Sequence, residues 1–194
     1  MAKIGWIGLG QMGTPMVENL LKGSVDVTVY NRSFDKTLPL VEKGAKNTKD
    51  IEEIFEQNDT IFFMISNYSA ALEILNENVL SKIKGKKIVN MSTISPTESK
   101  AVGKLVIENN GKYIEAPVSG SVGAATAGVL LILVGGNETD TKDLYSIFDI
   151  LGSKTYYFGE LGKATGAKLV LNSLLGIFGE AYSEVLLLAQ NFGI

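Results

Sequence analysis

Cysteine and histidine are both absent from the 194 residues, and arginine occurs once, as Arg32, among eighteen basic side chains. Without cysteine there is no disulfide and no thiolate nucleophile. Without histidine there is no imidazole base, and the usual zinc sites lose their ligands, so no metal is expected. Any group that moves a proton must be Lys, Tyr, Asp or Glu. This removes the dehydrogenases that use a histidine on 2-hydroxy acids. None of the seven tyrosines has a lysine four residues later, so the Tyr-x-x-x-Lys pair of the short-chain reductases is missing as well. A basic excess is also lacking, since the net charge is −3, and no nucleic-acid partner is expected. Hydrophobic residues make up 45% of the chain, ample for one core of ordinary domain size. Met1-Ala2-Lys3 leads straight into an apolar run with no room for a signal peptide, so a cytoplasmic location is expected.

A glycine pattern, Gly8-Leu9-Gly10-Gln11-Met12-Gly13, follows the apolar run Ile4 to Ile7 and precedes Met16, Leu20 and Leu21 at helical spacing. Strand, turn and helix in that order are what a dinucleotide-binding fingerprint needs. Its first glycine makes a tight turn, its second lets the backbone approach a pyrophosphate, and its third lets helix and strand pack closely. Alone, such a pattern could mark any strand-to-helix turn; a second strand, Val25 to Tyr30, completes the unit. At the end of that strand an NAD-binding chain normally presents Asp or Glu to the ribose 2'-hydroxyl. Here the residues are Asn31-Arg32-Ser33. A carboxylate would repel a 2'-phosphate, whereas a guanidinium forks onto its oxygens and Asn and Ser add neutral donors. The cofactor predicted is NADP. The plainer reading makes Arg32 one more solvated charge, and its place at this diagnostic position, as the sole arginine, weighs against that.

Short apolar runs then alternate with helical stretches, the pattern of an α/β, doubly wound, mostly parallel sheet. Strands are predicted at Thr60 to Ile65, Lys87 to Asn90, Tyr113 to Glu115, Leu130 to Val134 and Thr155 to Phe158. Helices are predicted near Lys36 to Glu42, Asp50 to Glu56, Ala70 to Asn76, Pro96 to Asn109 and Thr139 to Leu151. Ligands of such sheets lie beyond the carboxyl ends of the strands, where the loops Met64-Ile65-Ser66-Asn67 and Met91-Ser92-Thr93-Ile94-Ser95 fall. Ser95-Pro96-Thr97-Glu98 reads as a capping box, which makes Ser95 structural. For Thr93 a role near a nicotinamide and a plain loop role are both open. In Pro117-Val118-Ser119-Gly120-Ser121-Val122-Gly123, small residues would let backbone amides approach an anion such as a carboxylate. A glycine turn whose serines cap a helix weighs equally.

From Ala164 to Gln190 a long helix is predicted with apolar residues on nearly every face, which implies burial. A membrane span is not expected, because Lys168, Asn172, Glu180 and Glu184 interrupt any run of ~20 apolar residues. Lys168 and Asn172, four apart, share a face. A buried lysine is costly unless partnered, and burial lowers its pKa toward the range where it exchanges protons. A lysine that snorkels out of the first turn is the alternative.

Four segments taken together resemble the β-hydroxyacid dehydrogenases: Gly5-Trp6-Ile7-Gly8-Leu9-Gly10-Gln11-Met12-Gly13, Met91-Ser92-Thr93, Glu115-Ala116-Pro117-Val118-Ser119-Gly120-Ser121 and Lys168-Leu169-Val170-Leu171-Asn172. Within that family, Asn31-Arg32-Ser33 and Phe148-Asp149-Ile150-Leu151-Gly152 are most similar to the NADPH-dependent glyoxylate and succinic semialdehyde reductases. The resemblance implies that Lys168 is the catalytic acid/base with Asn172 as its helix partner. It implies a substrate-carboxylate loop at Ser119, Gly120 and Ser121, a cofactor and substrate contact at Thr93, and the adenosine and ribose alongside Met64 and Ile65. The activity implied is NADPH-dependent reduction of a short aldehyde acid; the alternatives are an NAD-dependent 3-hydroxyisobutyrate dehydrogenase, an inactive NADP-binding module and an imine reductase. Residues 1–161 would form the NADP-binding unit and 162–194 the long helix. Two departures are visible: Ala164 replaces a glycine usual in the family, and the all-helical second domain that follows the long helix in family members is expected to be missing. An uncovered helix then predicts a homo-oligomer.

Overall fold

Four apolar runs buried on both sides line up in parallel and set the architecture. The structure is a computed structural model that describes residues 3–194. In chain order its elements are β1 (Lys3–Ile7), α1 (Gly13–Lys22), β2 (Asp26–Tyr30), α2 (Leu38–Val41), β3 (Lys46–Asn47), α3 (Ile51–Gln57), β4 (Thr60–Phe63), α4 (Tyr68–Ile74), α5 (Glu77–Leu80), β5 (Lys87–Asn90), α6 (Pro96–Glu108), β6 (Lys112–Glu115), β7 (Val118–Ser119), α7 (Val122–Ala127), β8 (Leu130–Gly136), α8 (Glu138–Thr141), α9 (Tyr145–Leu151), β9 (Gly152–Tyr157) and α10 (Lys163–Asn191). The strands run in the order β3-β2-β1-β4-β5-β6-β8-β7, with β9 also beside β8. From β3 to β6 the pairing is parallel, while β8 lies antiparallel to β6 and β7. This is the Rossmann-type doubly wound sheet that the sequence predicts.

Each central strand feeds two cores because successive side chains point to opposite faces. Phe62 packs with Ile4, Trp6, Val29 and Val89 on one face, while its neighbours Ile61 and Phe63 join Phe55, Ile88 and Val106 on the other. Trp6 stacks on Phe62 at 5.5 Å between ring centroids. The registers Ile7 with Phe63, Phe63 with Asn90 and Asn90 with Glu115 bring four strand ends to one edge. Chain direction from β1 goes one way to β2 and the other way to β4, so the crevice between those strand ends is the topological switch point.

Several boundaries differ from the sequence reading, for local reasons. The strand expected to reach Ile65 stops at Phe63, where its partner β1 stops at Ile7, and Met64 and Ile65 turn out over the crevice. The helix expected over Lys36 to Glu42 is a 3₁₀ turn, Phe34–Thr37, followed by α2. The Thr37 hydroxyl donates to the Phe34 carbonyl at 2.7 Å, and Pro39 has no amide to continue the ladder. The helix expected over Thr139 to Leu151 breaks similarly at Lys142–Leu144, where the Thr141 hydroxyl donates to the Glu138 carbonyl. β3, α5 and β7 were not foreseen, while α7 is the helix that the glycine-turn reading of Pro117 to Gly123 allowed, though the Ser121 side chain does not cap it.

The long helix α10 is left largely uncovered, as the sequence analysis expects of it in this chain. At 29 residues it extends roughly 43 Å at 1.5 Å per residue, yet only Ala164, Thr165 and Lys168 are buried. Beyond them Val170 is 69% exposed, Ile177 65% and Val185 62%, so an all-round apolar helix here is not a buried one. Its mean hydropathy reaches 1.2 over 18 residues, so by length and composition it is long and apolar enough to cross a bilayer. Counting interruptions in the sequence therefore did not exclude a span. The sharper objection is that Glu180 and Glu184 share one face and would each be costly in hydrocarbon.

Candidate functional site

The fingerprint loop joins β1 to α1, and its glycines are required by what surrounds them. Gly8 has φ +103°, and a Cβ on it would stand 2.2 Å from the Met64 carbonyl oxygen. A Cβ on Gly13 would stand 2.1 Å from the Gly8 carbonyl oxygen, which also accepts the Trp6 indole N–H at 3.0 Å. Gly10 is different: no atom lies within 4 Å of where its Cβ would be. The space above Gly10 opens on the start of α1, which has neither a side-chain cap nor an acidic residue in its first turn. The positive end of the helix dipole makes that terminus a place for an anion. Gln11 is exposed and Met12 half-buried, while Leu9 is buried and donates its amide to the Asn31 side chain at 2.9 Å. Gly10→Ala is therefore expected to leave the thermal midpoint near that of the unsubstituted chain and to weaken dinucleotide binding by roughly tenfold, ~1.4 kcal/mol. Calorimetric melting and fluorescence titration check the two halves.

A cleft of about 370 Å³ continues from Gly8, Leu9 and Gly10 along Tyr30, Asn31, Arg32, Ser33 and Lys36 to Met64, Ile65 and Ser66. Its volume lies in the range of small-ligand sites. Arg32 is exposed at its rim among Ser33 and Lys36, the latter a second cation that the sequence reading did not single out. Asn31 is engaged by the protein itself: its carbonyl accepts from Leu9, and its amide donates to the Ser33 carbonyl at 2.9 Å. It shapes the loop beneath Arg32, and Ser33 keeps its hydroxyl.

The other expected site residues follow β5, β6 and β7 or ride on α10. Thr93 is exposed in the loop after β5, and Ser95 beside it forms the capping box of α6, its hydroxyl accepting from the Glu98 amide at 3.2 Å. Ser119 closes β7. Gly120 has φ +142°, and a Cβ on it would lie 2.8 Å from Leu130 and 2.9 Å from Ala124, so only glycine lets the loop pass. Ser121 stands at the N-cap of α7 but makes no side-chain capping bond. Lys168 is 8% exposed in the second turn of α10 and does not snorkel into solvent. Burial pulls its pKa below the ordinary 10.5. Asn172, one turn on, is exposed.

One buried carboxylate escaped the sequence reading. Glu115, at the end of β6 and fully buried, accepts the Gly162 amide at 2.9 Å and the Ala164 amide at 2.8 Å. Thr165 adds its hydroxyl at 3.1 Å and Ser99 its own at 2.6 Å. Alanine at 164 is accommodated, fully buried, with its amide on this carboxylate. The signal in the sequence was a charge that follows the buried pair Tyr113-Ile114 at the end of the strand.

A family profile described as the NAD binding domain of 6-phosphogluconate dehydrogenase matches residues 3–159. The chain belongs to that family. Among its relatives are two proteins of Arabidopsis thaliana, glyoxylate/succinic semialdehyde reductase 2, chloroplastic, and glyoxylate/succinic semialdehyde reductase 1. They are 34% and 35% identical over 98% and 99% of this chain. The chain spans 54% of the first and 68% of the second. A solved structure of Mycobacterium tuberculosis 3-hydroxyisobutyrate dehydrogenase with L-serine superposes with a TM-score of 0.93 at 26% identity, covering all of this chain and 66% of that one. The superposition includes α10, which lies beyond the residues that the family profile matches.

Proposed function

We propose that the protein is an NADPH-dependent reductase of a short aldehyde acid, of the glyoxylate or succinic semialdehyde class. The observation that carries this reading is Lys168, a buried lysine whose pKa burial alone depresses, on a helix whose start adjoins the strand ends of a nicotinamide-dinucleotide domain. The names of the two plant relatives support the substrate class. In this reading the amides of Gly10 to Gly13 hold the pyrophosphate at the start of α1, since those of Gly8 and Leu9 donate to Tyr30 and Asn31. Arg32, with Ser33 and Lys36 beside it, takes the 2'-phosphate, and Met64 and Ile65 flank the adenosine and ribose. When bound, a reduced nicotinamide supplies the hydride that a carbonyl carbon accepts.

The chain's own residues do the rest. Ser119, Gly120 and Ser121 offer hydroxyls and a backbone amide to the substrate carboxylate, and Thr93 borders substrate and cofactor. The Lys168 ammonium donates to the carbonyl oxygen, stabilises the negative charge that builds there and then gives up its proton. Asn172 fixes the amine from one turn along the same face. For the reverse oxidation, neutral Lys168 takes the hydroxyl proton. Loss of NADPH absorbance against a panel of short semialdehydes and cyclic imines tests the assignment: consumption with the semialdehydes is expected, and consumption with imines alone contradicts it.

The exposed stripe of α10 belongs to the same reading. Leu175, Phe178, Leu186 and Phe192 are all more than half exposed, a continuous apolar surface of a kind that monomers rarely leave in water. A second copy of the chain covers it. Gel filtration with light scattering is expected to give a dimer or higher assembly, and a clean monomer would contradict this.

A further inference from the structure

A single directed run of buried hydrogen bonds joins the wall of the nucleotide cleft to the start of α10. The Ile65 amide, in the cleft wall, donates to the Ser92 hydroxyl oxygen at 2.9 Å. The Ser92 amide donates to the Asn90 side-chain oxygen Oδ1 at 3.0 Å, and Nδ2 of the same side chain donates to the Tyr113 hydroxyl oxygen at 3.0 Å. Tyr113 in turn lies 3.2 Å from the Ser99 hydroxyl, which donates to Glu115. Because Ser99 spends its proton on the carboxylate and Asn90 already donates to Tyr113, the tyrosine must donate to Ser99. Burial pushes the Tyr113 phenol up to about 12, so it keeps that proton. At the far end Glu115 gathers the first amides of α10, and its neighbour Gly135 is obligatory, since a Cβ there would lie 2.5 Å from the carboxylate.

We propose that Glu115 is the positioning residue for Lys168 and that this run of hydrogen bonds couples occupancy of the nucleotide cleft to the placement of α10. The proposal rests on the reading of Lys168 as the proton donor. Physically, α10 is held to the domain only through its first turns, because the buried residues of the helix end at Lys168. A carboxylate that accepts from the residue 162, 164 and 165 amides therefore fixes the helix origin, and Lys168 stands one turn beyond that anchor. Any shift of Ile65 toward a nucleotide is passed along these hydrogen bonds to Glu115. Glu115 touches no substrate in this account; it acts through the helix.

Two measurements on the 194-residue chain test the two halves. Without nucleotide, amine labelling followed by mass spectrometry reads the exposure of Lys168, with Lys86 and Lys87, 16% and 14% exposed near the other end of β5, as internal references. Glu115→Gln points an NH₂ group at amides that need an acceptor, and it is expected to speed labelling of Lys168 roughly tenfold with the two references unchanged. Ser99→Ala, a milder cut, should do the same to a smaller degree if the first variant folds poorly. A parallel rise at all three lysines, or none at Lys168, overturns the positioning role. In the second measurement, NADPH is expected to slow hydrogen exchange at Gly162, Ala164 and Thr165 roughly tenfold, and Tyr113→Phe should remove most of that slowing with little change in NADPH affinity. Unchanged exchange in the unsubstituted protein, or full slowing in Tyr113→Phe, overturns the coupling. If NADPH fails to bind at all, the functional reading fails, while the nucleotide-free labelling still decides the role of Glu115.

Discussion

Lys168→Ala is expected to lower turnover by on the order of 10² to 10⁴ relative to the unsubstituted chain while leaving NADPH affinity nearly unchanged, because positioned acid/base catalysis is worth about that much. Single-turnover oxidation of NADPH in the presence of a short semialdehyde, alongside a fluorescence titration, separates the two effects. The pH dependence has a definite sign. Reduction needs the ammonium, whose pKa burial places below 10.5, so the reduction rate falls as pH rises through that lowered value and the oxidation rate rises there. Stability follows the same group: between the lowered folded value and 10.5 the unfolded chain holds more protons, so stability rises with pH across that window. Both dependences should flatten in Lys168→Ala. Near-normal turnover in that variant would remove the lysine from the chemistry.

Arg32→Ala carries the second large expectation. A charged hydrogen bond contributes roughly 1.5 to 3 kcal/mol, so its loss should weaken NADPH binding by about ten- to a hundredfold and leave NADH almost unaffected. The structure adds a qualification absent from the sequence: Lys36 lines the same rim and retains part of the attraction, so Lys36→Ala should show a smaller effect of the same kind. Parallel titrations of both nucleotides measure the ratio. Equal losses for the two would mean that Arg32 contacts something other than the 2'-phosphate.

The parts of the molecule that could be read from sequence are those fixed by local rules. Gly13 is forced by the Gly8 carbonyl oxygen five residues away, and the capping box at Ser95 is closed within four residues, whereas Gly8 is forced by the Met64 carbonyl oxygen beyond the neighbouring strand. Strand runs such as Ile61-Phe62-Phe63 are apolar because both faces are covered, a signal visible without the fold. What stayed hidden depends on distant partners. Glu115 looked like the polar end of a strand, and its meaning comes from amides 47 and 49 residues away. The Asn31 side chain reads as a donor for phosphate until Leu9 and Ser33 are seen to occupy it. An apolar helix such as α10 reports that it is covered somewhere, and nothing in its own periodicity says by what. Breaks at Thr37 and Thr141 were missed because hydroxyl back-bonding competes with a helix only where the geometry permits.

Deuterium transfer tests the central claim most directly. The unsubstituted chain is incubated with NADPH deuterated at the nicotinamide C4 position and a short semialdehyde, and the hydroxy acid is examined by mass spectrometry. The account predicts one deuterium on the new carbinol carbon, with a yield at least roughly a hundredfold lower over the same interval for Lys168→Ala. NADPH that binds tightly while no label reaches the product, at any pH at which Lys168 is protonated, would contradict it.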